Sequence, residues 1–467
     1  MDSQCGLCPS GLGLPQAAVK GEGFTWKGQR VVVVGLGRSG LAAAEWLLSQ
    51  EAEVTMFDES KSPVMQELAQ KWQQRGASVV TGKAELGETR FVAAILSPGV
   101  DPRRPVVGQL QKAGVPILGE LELGARACLC PVVAVTGTNG KSTTTELIAE
   151  IYQAAGKKAV ACGNLGRPIC EVAPLTRGLD RVVAEVSSFQ LETIEMFHPK
   201  IAVHLNLTPD HLDRYASMKE YGEAKLRLFL NQTSQDTAVV QRDLVISGLK
   251  AAKVTFTAER SGADYTLQEG WLCAKGEKVF QQEECPLRGP HNAENLLAAL
   301  AVADVEGISR EVVKKVFRSY RPLPHRCEVV GVRNGVTWIN DSKATNLDAM
   351  ERAVAGITSP VILIAGGKDK GFDFSESRKV LEGKVRAALL LGEMAEKIEK
   401  AWGGFLPCRR VKDLGEAVLR AAEMARRGEA VLLSPGCSSY DMFKNFEERG
   451  EKYRQCVKAL PKEETNP

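Results

Sequence analysis

The sequence predicts an α/β protein built from three consecutive units. Short β-branched runs recur along its 467 residues, each passing through a turn of Gly, Ser, Asn or Asp into an Ala- or Leu-rich helical stretch. That alternation builds parallel sheets with helices on their faces. The pattern restarts at Pro131 and again after the hinge-like Pro322-Leu323-Pro324. At about 150 residues per domain, the length also holds roughly three.

A hydrophobic content of 44% and a charged content of 25% are those of a globular protein, and the net charge is only +3. Lys and Arg are not blocked together, which argues against a nucleic-acid or membrane-surface protein. No apolar run reaches the ~18 residues of a membrane span, and no basic start followed by an apolar core marks a signal peptide. The expectation is a cytoplasmic protein that works as a monomer on small molecules, with its 12 cysteines serving as small apolar side chains. Cys5 and Cys8 form a C-x-x-C, and only Cys128 and Cys130 could complete a four-ligand zinc site. The bland reading outweighs that one. Residues 1–27 carry many Gly and Pro with no apolar period and read as a tail.

In the first unit, the strand Arg30 to Val34 runs into Gly35-Leu-Gly37-Arg-Ser-Gly40 and an Ala-rich helix. The next strand, Val54 to Phe57, ends in Asp58. This is the dinucleotide fingerprint with its acid about 20 residues on. Alone it allows NAD, a uridine nucleotide, or a tight turn with no ligand. A third strand, Ala93 to Leu96, ends in Ser97-Pro98-Gly99 at the same sheet edge.

The second unit opens on VVAVTGTNGKSTTT, Val132 to Thr145. A Gly-rich turn from a strand into a helix aims free N–H groups and a helix dipole at one point, and Lys141 adds a charge there. Together they make a polyphosphate seat. Ser142 and Thr143 offer hydroxyls to a magnesium ion riding on the phosphates. The general P-loop would place a Gly at Val135, so TGTNGKS is a compact variant. Gly163-Asn164-Leu165-Gly166 follows a strand near Val160. The strand Arg181 to Val186 carries Glu185 near its end, and an unpaired charge in so apolar a run would be costly. The strand Ile201 to Leu207 leads into Thr208-Pro209-Asp210-His211-Leu212-Asp213-Arg214, where His211 could ligate metal or orient a substrate. Lys225 reads as an exposed lysine on an amphipathic helix. Residues 235–288 give no clear pattern. Asn292 and Asn295 open the next helix, Asn292 either as its N-cap or, with Asn295, as a partner for a purine edge.

In the third unit, the strand Val336 to Ile339 precedes Asn340-Asp341-Ser342-Lys343-Ala344-Thr345-Asn346, which opens a helix. Val361 to Ala365 ends in Gly366-Gly367-Lys368-Asp369-Lys370-Gly371. Ala388 to Leu391 is another strand, and Val431 to Leu433 ends in Ser434-Pro435-Gly436-Cys437-Ser438-Ser439. These turns share the carboxyl edge of one sheet, and their lysines and hydroxyls suit a small anion such as an amino-acid carboxylate.

TGTNGKST, Glu185-Val-Ser-Ser-Phe-Gln, Asp-His-Leu-Asp-Arg, His-Asn-x-x-Asn, Pro-His-Arg and Asp-Ser-Lys-Ala-Thr-Asn occur here in the order seen in Mur ligases. The chain resembles that family from end to end apart from its tail. DSKATN and SPGCSSYDMFKNFEERG resemble the D-glutamate-adding member in particular. The resemblance implies a Rossmann-like N-terminal domain at 28–119 for a UDP-linked substrate and a central P-loop-type ATPase domain at 120–322. A Rossmann-like C-terminal domain at 323–467 would bring in the amino acid.

The implied reaction joins D-glutamate to UDP-N-acetylmuramoyl-L-alanine with ATP through an acyl phosphate. It implies ATP contacts from Thr138, Asn139, Gly140, Lys141, Ser142, Thr143, Thr144, Asn292, Asn295, Arg326 and Asp341. Catalysis would rest on Lys141, Glu185, His211 and Lys225. Mg2+ would be held by Ser142 and Glu185, and by His211 with Lys225 as its carbamate. UDP-substrate contacts fall to Arg38, Ser39, Asp58, Ser97 and Asn164, and D-glutamate contacts to Thr345, Lys370, Ser439 and the backbone at Phe446. Some relatives carry an acid at Lys368 and an Arg at Ser60, the latter contact then lost or shifted to Lys61. The alternatives are another ligase of the superfamily, such as a folylpolyglutamate-type enzyme, and a regulator that binds NAD and ATP without ligation. The amino-acid pocket discriminates the first, and a joint requirement for nucleotide sugar and amino acid discriminates the second.

Overall fold

The computed structural model describes residues 25–461 apart from 165, 213, 259 and 260. Cys5, Cys8, the tail to residue 24, Leu165 and Asp213 therefore lie outside the described residues. The first sheet comprises β1 (Arg30–Val34), β2 (Glu53–Asp58), β3 (Ser78–Thr81), β4 (Ala93–Leu96) and β5 (Ile117–Gly119), in the order β3-β2-β1-β4-β5. All neighbours in it are parallel. Trp26, which the sequence reading assigns to the tail, sets its ring edge-on to Trp46 at 6.3 Å.

The second sheet holds β6 (Val132–Thr136), β7 (Ala159–Gly163), β8 (Arg181–Glu185), β9 (Ile201–His204), β10 (Thr237–Gln241), β11 (Ala252–Thr257), β12 (Tyr265–Gln268), β13 (Trp271–Ala274) and β14 (Glu277–Gln281). Its order is β14-β13-β12-β11-β10-β9-β6-β8-β7. The stretch that gave no pattern in the sequence supplies β10–β12, which continue the parallel sheet, and the antiparallel β13 and β14. The third sheet holds β15 (Glu328–Arg333), β16 (Val336–Asn340), β17 (Val361–Gly366), β18 (Val385–Leu391), β19 (Cys408–Arg410) and β20 (Ala430–Leu433), in the order β15-β16-β20-β17-β18-β19. Only β15 is antiparallel to its neighbour. The central strands are buried on both faces, which is why they read as unbroken apolar runs rather than alternating ones.

The first two units join without a linker. β5 passes at Gly119 into the helix Glu120–Ala127. A methyl group at Gly119 would stand 2.2 Å from Thr193 Oγ1, so the glycine permits this close approach. Glu122 anchors the helix by accepting the backbone N–H groups of Glu195, Met196 and Phe197 and an Arg126 guanidinium. Glu120 is only 1% exposed. Its Oε1 accepts the Cys170 N–H at 2.7 Å, and its Oε2 has no partner among the described residues. Burial pushes its carboxyl up to about 7.

An acid raised in this way stabilises the fold fully below its ordinary value, and that stability is lost as pH rises through about 7. Glu120→Gln should therefore melt progressively higher relative to wild type between pH 5 and pH 8. The gain should reach at most about 3 kcal/mol, read by calorimetry across that range. A pH-independent difference would contradict the burial of an ionising group at this junction.

Candidate active site

The first-unit residues singled out by the sequence line one cavity of about 630 Å³. Arg38 and Ser39 open the helix that follows the Gly-rich turn. Gly40 allows that helix to sit on β1, because a methyl group there would stand 1.9 Å from Gly35 O. Asp58 at the end of β2 holds the turn: its Oδ2 accepts the Leu36 N–H at 2.9 Å, and its Oδ1 accepts the Ser60 N–H. Ser97 donates to Gly35 O at 2.6 Å. Gly163, Asn164 and Gln190 of the second unit complete the same wall, so the cavity lies between two units. Asn164 Nδ2 in turn donates to Glu185 Oε1 at 2.6 Å. The cavity wall is thus tied to a carboxylate of the second unit.

The phosphate loop leaves β6 and enters the helix Lys141–Ala154 through Gly140, whose φ of 85° suits glycine. A side chain there would also collide with Asn295 Oδ1 at 2.1 Å. Lys141 Nζ curls back to donate to Gly137 O and Thr138 O at 2.9 and 2.7 Å. Lys225 Nζ donates to the same Gly137 O at 2.9 Å. Lys225 is therefore not the exposed helix lysine of the sequence pattern. The helix Met218–Leu226 turns it inward, where it is 1% exposed and lies over the Tyr221 ring. Burial first, then Lys141, pushes its ammonium well below the usual range. Burial also lowers Lys141.

Glu185 is buried at the end of β8, opposite Val135 of β6. Burial alone would raise its carboxyl, but Lys141 and Lys343 hold it below the ordinary value. Its Oε2 has no partner among the described residues, and Ser142 lies beside it. A buried free carboxylate oxygen next to a hydroxyl suits a hard divalent cation. His211, at a φ of 57°, packs its ring on Phe189. Burial drives its pKa down to about 3, so it stays neutral. Among the described residues no group of three or more His, Cys, Asp or Glu stands ready to hold a metal.

Asn292 is not an N-cap. The helix Pro290–Val305 is capped by Gly289, and Asn292 lies inside it, donating to Arg288 O and accepting from Asn295. Asn295 Oδ1 accepts from Thr144, which places this helix against the phosphate loop. From the third unit, Arg326 donates to Ser142 Oγ at 2.5 Å. Asp341 is buried, accepts from Ser434 and the Cys327 N–H, and is pushed up to about 7 by burial. Lys370 pairs with Asp210 of the second unit at 3.0 Å, and Asn346, next to Thr345, donates to the same carboxylate. Ser439 does not precede a helix directly: the last helix is Phe446–Ala459, capped by Asn445. Phe446 lies under Lys343 at 3.8 Å.

Three family models cover most of the chain. The Mur ligase MurD-like N-terminal domain matches residues 29–119, the Mur ligase middle domain 135–303, and the Mur ligase glutamate ligase domain 325–437. This chain is a Mur ligase. Two relatives, both called UDP-N-acetylmuramoylalanine–D-glutamate ligase, come from Alkaliphilus metalliredigens and Syntrophotalea carbinolica. They are 39% and 40% identical, each over 93% of this chain and 99% and 98% of their own. Among solved structures, UDP-N-acetylmuramate-alanine ligase MurC from Thermotoga maritima shares the fold at a TM-score of 0.60 and 16% identity. The match covers 92% of this chain and 99% of that one.

Reading the sequence missed four residues of this Mur ligase site. Lys343, pushed down to about 8 by burial and Arg326, stands near Glu185 and Lys141. Arg449, 2% exposed, ties Ser342 to Cys437 O. Asp348 meets the phosphate loop. Asn206 clamps that loop: its Oδ1 accepts the Thr138 and Asn139 N–H groups, and its Nδ2 donates to Asn139 O. The one available signal for Asn206 was an amide between two leucines where β9 runs out. Asn206→Ala should weaken binding of magnesium-ADP about thirtyfold or more, from the loss of two or three hydrogen bonds of roughly 1 kcal/mol each. Isothermal titration checks this, and unchanged affinity would show that the loop holds its shape without the clamp.

Proposed function

We propose that this chain is an ATP-dependent ligase that adds D-glutamate to UDP-N-acetylmuramoyl-L-alanine, a cytoplasmic step of peptidoglycan precursor synthesis. The carrying observation is that Asn164, in the wall of the first-unit cavity, donates to Glu185, which lies opposite the strand that leads into the phosphate loop. A uridine nucleotide on the Gly-rich turn would extend its acyl end to that point. A regulator holding NAD would not need the link. Relatives of 38–40% identity over 93% of this chain carry the same name.

The chain is read as a monomer with a UDP-substrate domain at 28–119, an ATP domain at 120–322 and an amino-acid domain at 323–467. Arg38, Ser39, Asp58, Ser97 and Asn164 orient the UDP-substrate. The loop from Thr138 to Thr144 seats the phosphates, with Asn292 and Asn295 at the adenine, Arg326 at the phosphates and Asp341 at the ribose. The substrate carboxylate attacks the γ-phosphorus, and ADP leaves. Two anions meet in that step, so the barrier is largely electrostatic. Lys141, freed from Gly137 O by the incoming phosphates, neutralises the transferring group.

Ser142 and Glu185 would hold one Mg2+, and His211 with Lys225 a second. When bound, the ions withdraw charge from the transferring oxygens. As an ammonium, Lys225 is no metal ligand. Its burial favours the neutral amine, which is the form that adds CO2 and becomes a carbamate. Thr345, Lys370, Ser439 and the Phe446 backbone position D-glutamate. Its amine attacks the acyl carbonyl, the C–O bond to phosphate breaks, and phosphate leaves.

Phosphate release from ATP with UDP-N-acetylmuramoyl-L-alanine, scanned over D-glutamate, L-glutamate, L-alanine, L-lysine and diaminopimelate, tests this reading. Release should require D-glutamate, with any other amino acid at least about a hundredfold slower. Release with a different amino acid would overturn the assignment of Thr345, Lys370 and Ser439. Release with none would overturn the ligase reading.

A further inference from the structure

The carboxylate of Asp348 belongs to the third unit but touches the second. It sits in the first turn of the helix Leu347–Gly356, where the helix dipole favours a negative charge. Its Oδ2 accepts Asn139 Nδ2 of the phosphate loop at 2.5 Å and Thr208 Oγ1 at 3.1 Å. Arg352, one turn along, grips both of its oxygens at 2.9–3.0 Å and fixes their direction. On the other side, the backbone of Asn139 is held by Asn206. Thr208 follows β9 and also engages the loop, its N–H donating to Thr138 Oγ1 at 3.0 Å. Asn139 is thus held at its backbone by its own unit and at its side chain by the neighbouring one.

We propose that Asp348 is a positioning residue that makes the final shape of the phosphate loop conditional on docking of the third unit. It acts through Asn139 and touches neither nucleotide nor amino acid. When the third unit swings away, the Asn139 side chain loses Asp348 and the longer contacts to Asn346 at 3.4–3.5 Å, and keeps only its backbone hold by Asn206. Any ligand that docks the third unit then tightens nucleotide binding, and by reciprocity the nucleotide tightens that ligand. On the functional reading above, that ligand is D-glutamate, so the amino acid would prepare the phosphate seat from a pocket it does not share.

The test is the affinity for magnesium-ADP with and without saturating D-glutamate and inorganic phosphate, by isothermal titration. Wild type, Asp348→Ala, Asp348→Asn, Asn139→Ala and the double Ala variant are compared. In wild type, D-glutamate should tighten ADP about fivefold or more, and Asp348→Ala should abolish most of that factor. Asp348→Asn, which keeps an acceptor oxygen, should retain it. If Asp348 acts through Asn139, the double variant should be no worse than Asn139→Ala alone. The proposal is overturned if Asp348→Ala weakens ADP equally with and without D-glutamate, if the two substitutions are additive, or if wild type shows no tightening. Wild-type turnover with D-glutamate in the same preparations separates a failure of this coupling from a failure of the ligase reading.

Discussion

Two lysine amines, Lys225 buried and Lys141 half-buried, converge on one carbonyl oxygen. Lys141 and Lys225 both donate to Gly137 O at 2.9 Å, and no carboxylate completes either shell among the described residues. Two positive charges so placed would be costly, and burial pushes both amines toward their neutral forms. It becomes favourable once anions arrive between the lysines or one lysine changes its charge. The surrounding structure serves this constraint. β6 and β9 bring the loop and Asn206 together, and the helix Met218–Leu226 aims Lys225 inward. Glu185 balances the site from β8 without pairing directly with either lysine.

The three sheets contribute unequally to that point. The first supplies most of a cavity with its own glycine-dependent turn. The second supplies the charged centre. The third reaches in from outside, through Arg326 on Ser142, Lys370 and Asn346 on Asp210, and Asp348 on Asn139. Each of these contacts joins an expected ligand-holding residue, or its neighbour, to the central unit. Docking of the third unit is therefore coupled chemically to the seat it closes over, and does not depend on apolar packing alone.

The parts legible in the sequence were those where one local pattern decides. Gly35, Gly40 and Asp58 announced their turn, and the strand ends carrying Glu185 and Asp341 stood out against apolar runs. The Lys225 environment was hidden because burial of a helix residue depends on what packs over it, which the heptad-scale pattern of AKLRLFL does not encode. Asn206, Asp348 and Arg449 act through partners 12 to 209 residues away in the chain. Spacing gives no sign of such pairings. Of the two readings of Asn292, the N-cap fails because Gly289 and Pro290 already begin the helix. The strands of residues 235–288 were opaque because they are short and change from parallel to antiparallel within one sheet.

On the proposed function, the lysine-rich seat transfers a phosphoryl group to a substrate carboxylate. The direct measurement is oxygen tracing: UDP-N-acetylmuramoyl-L-alanine labelled with 18O in its carboxylate is turned over with ATP and D-glutamate, and the released phosphate is analysed by mass. Attack by the carboxylate on phosphorus, followed by C–O cleavage, places one labelled oxygen in each phosphate. Unlabelled phosphate formed along with the amide product would show that the carboxylate never bonds to phosphorus, and would contradict this account of the site.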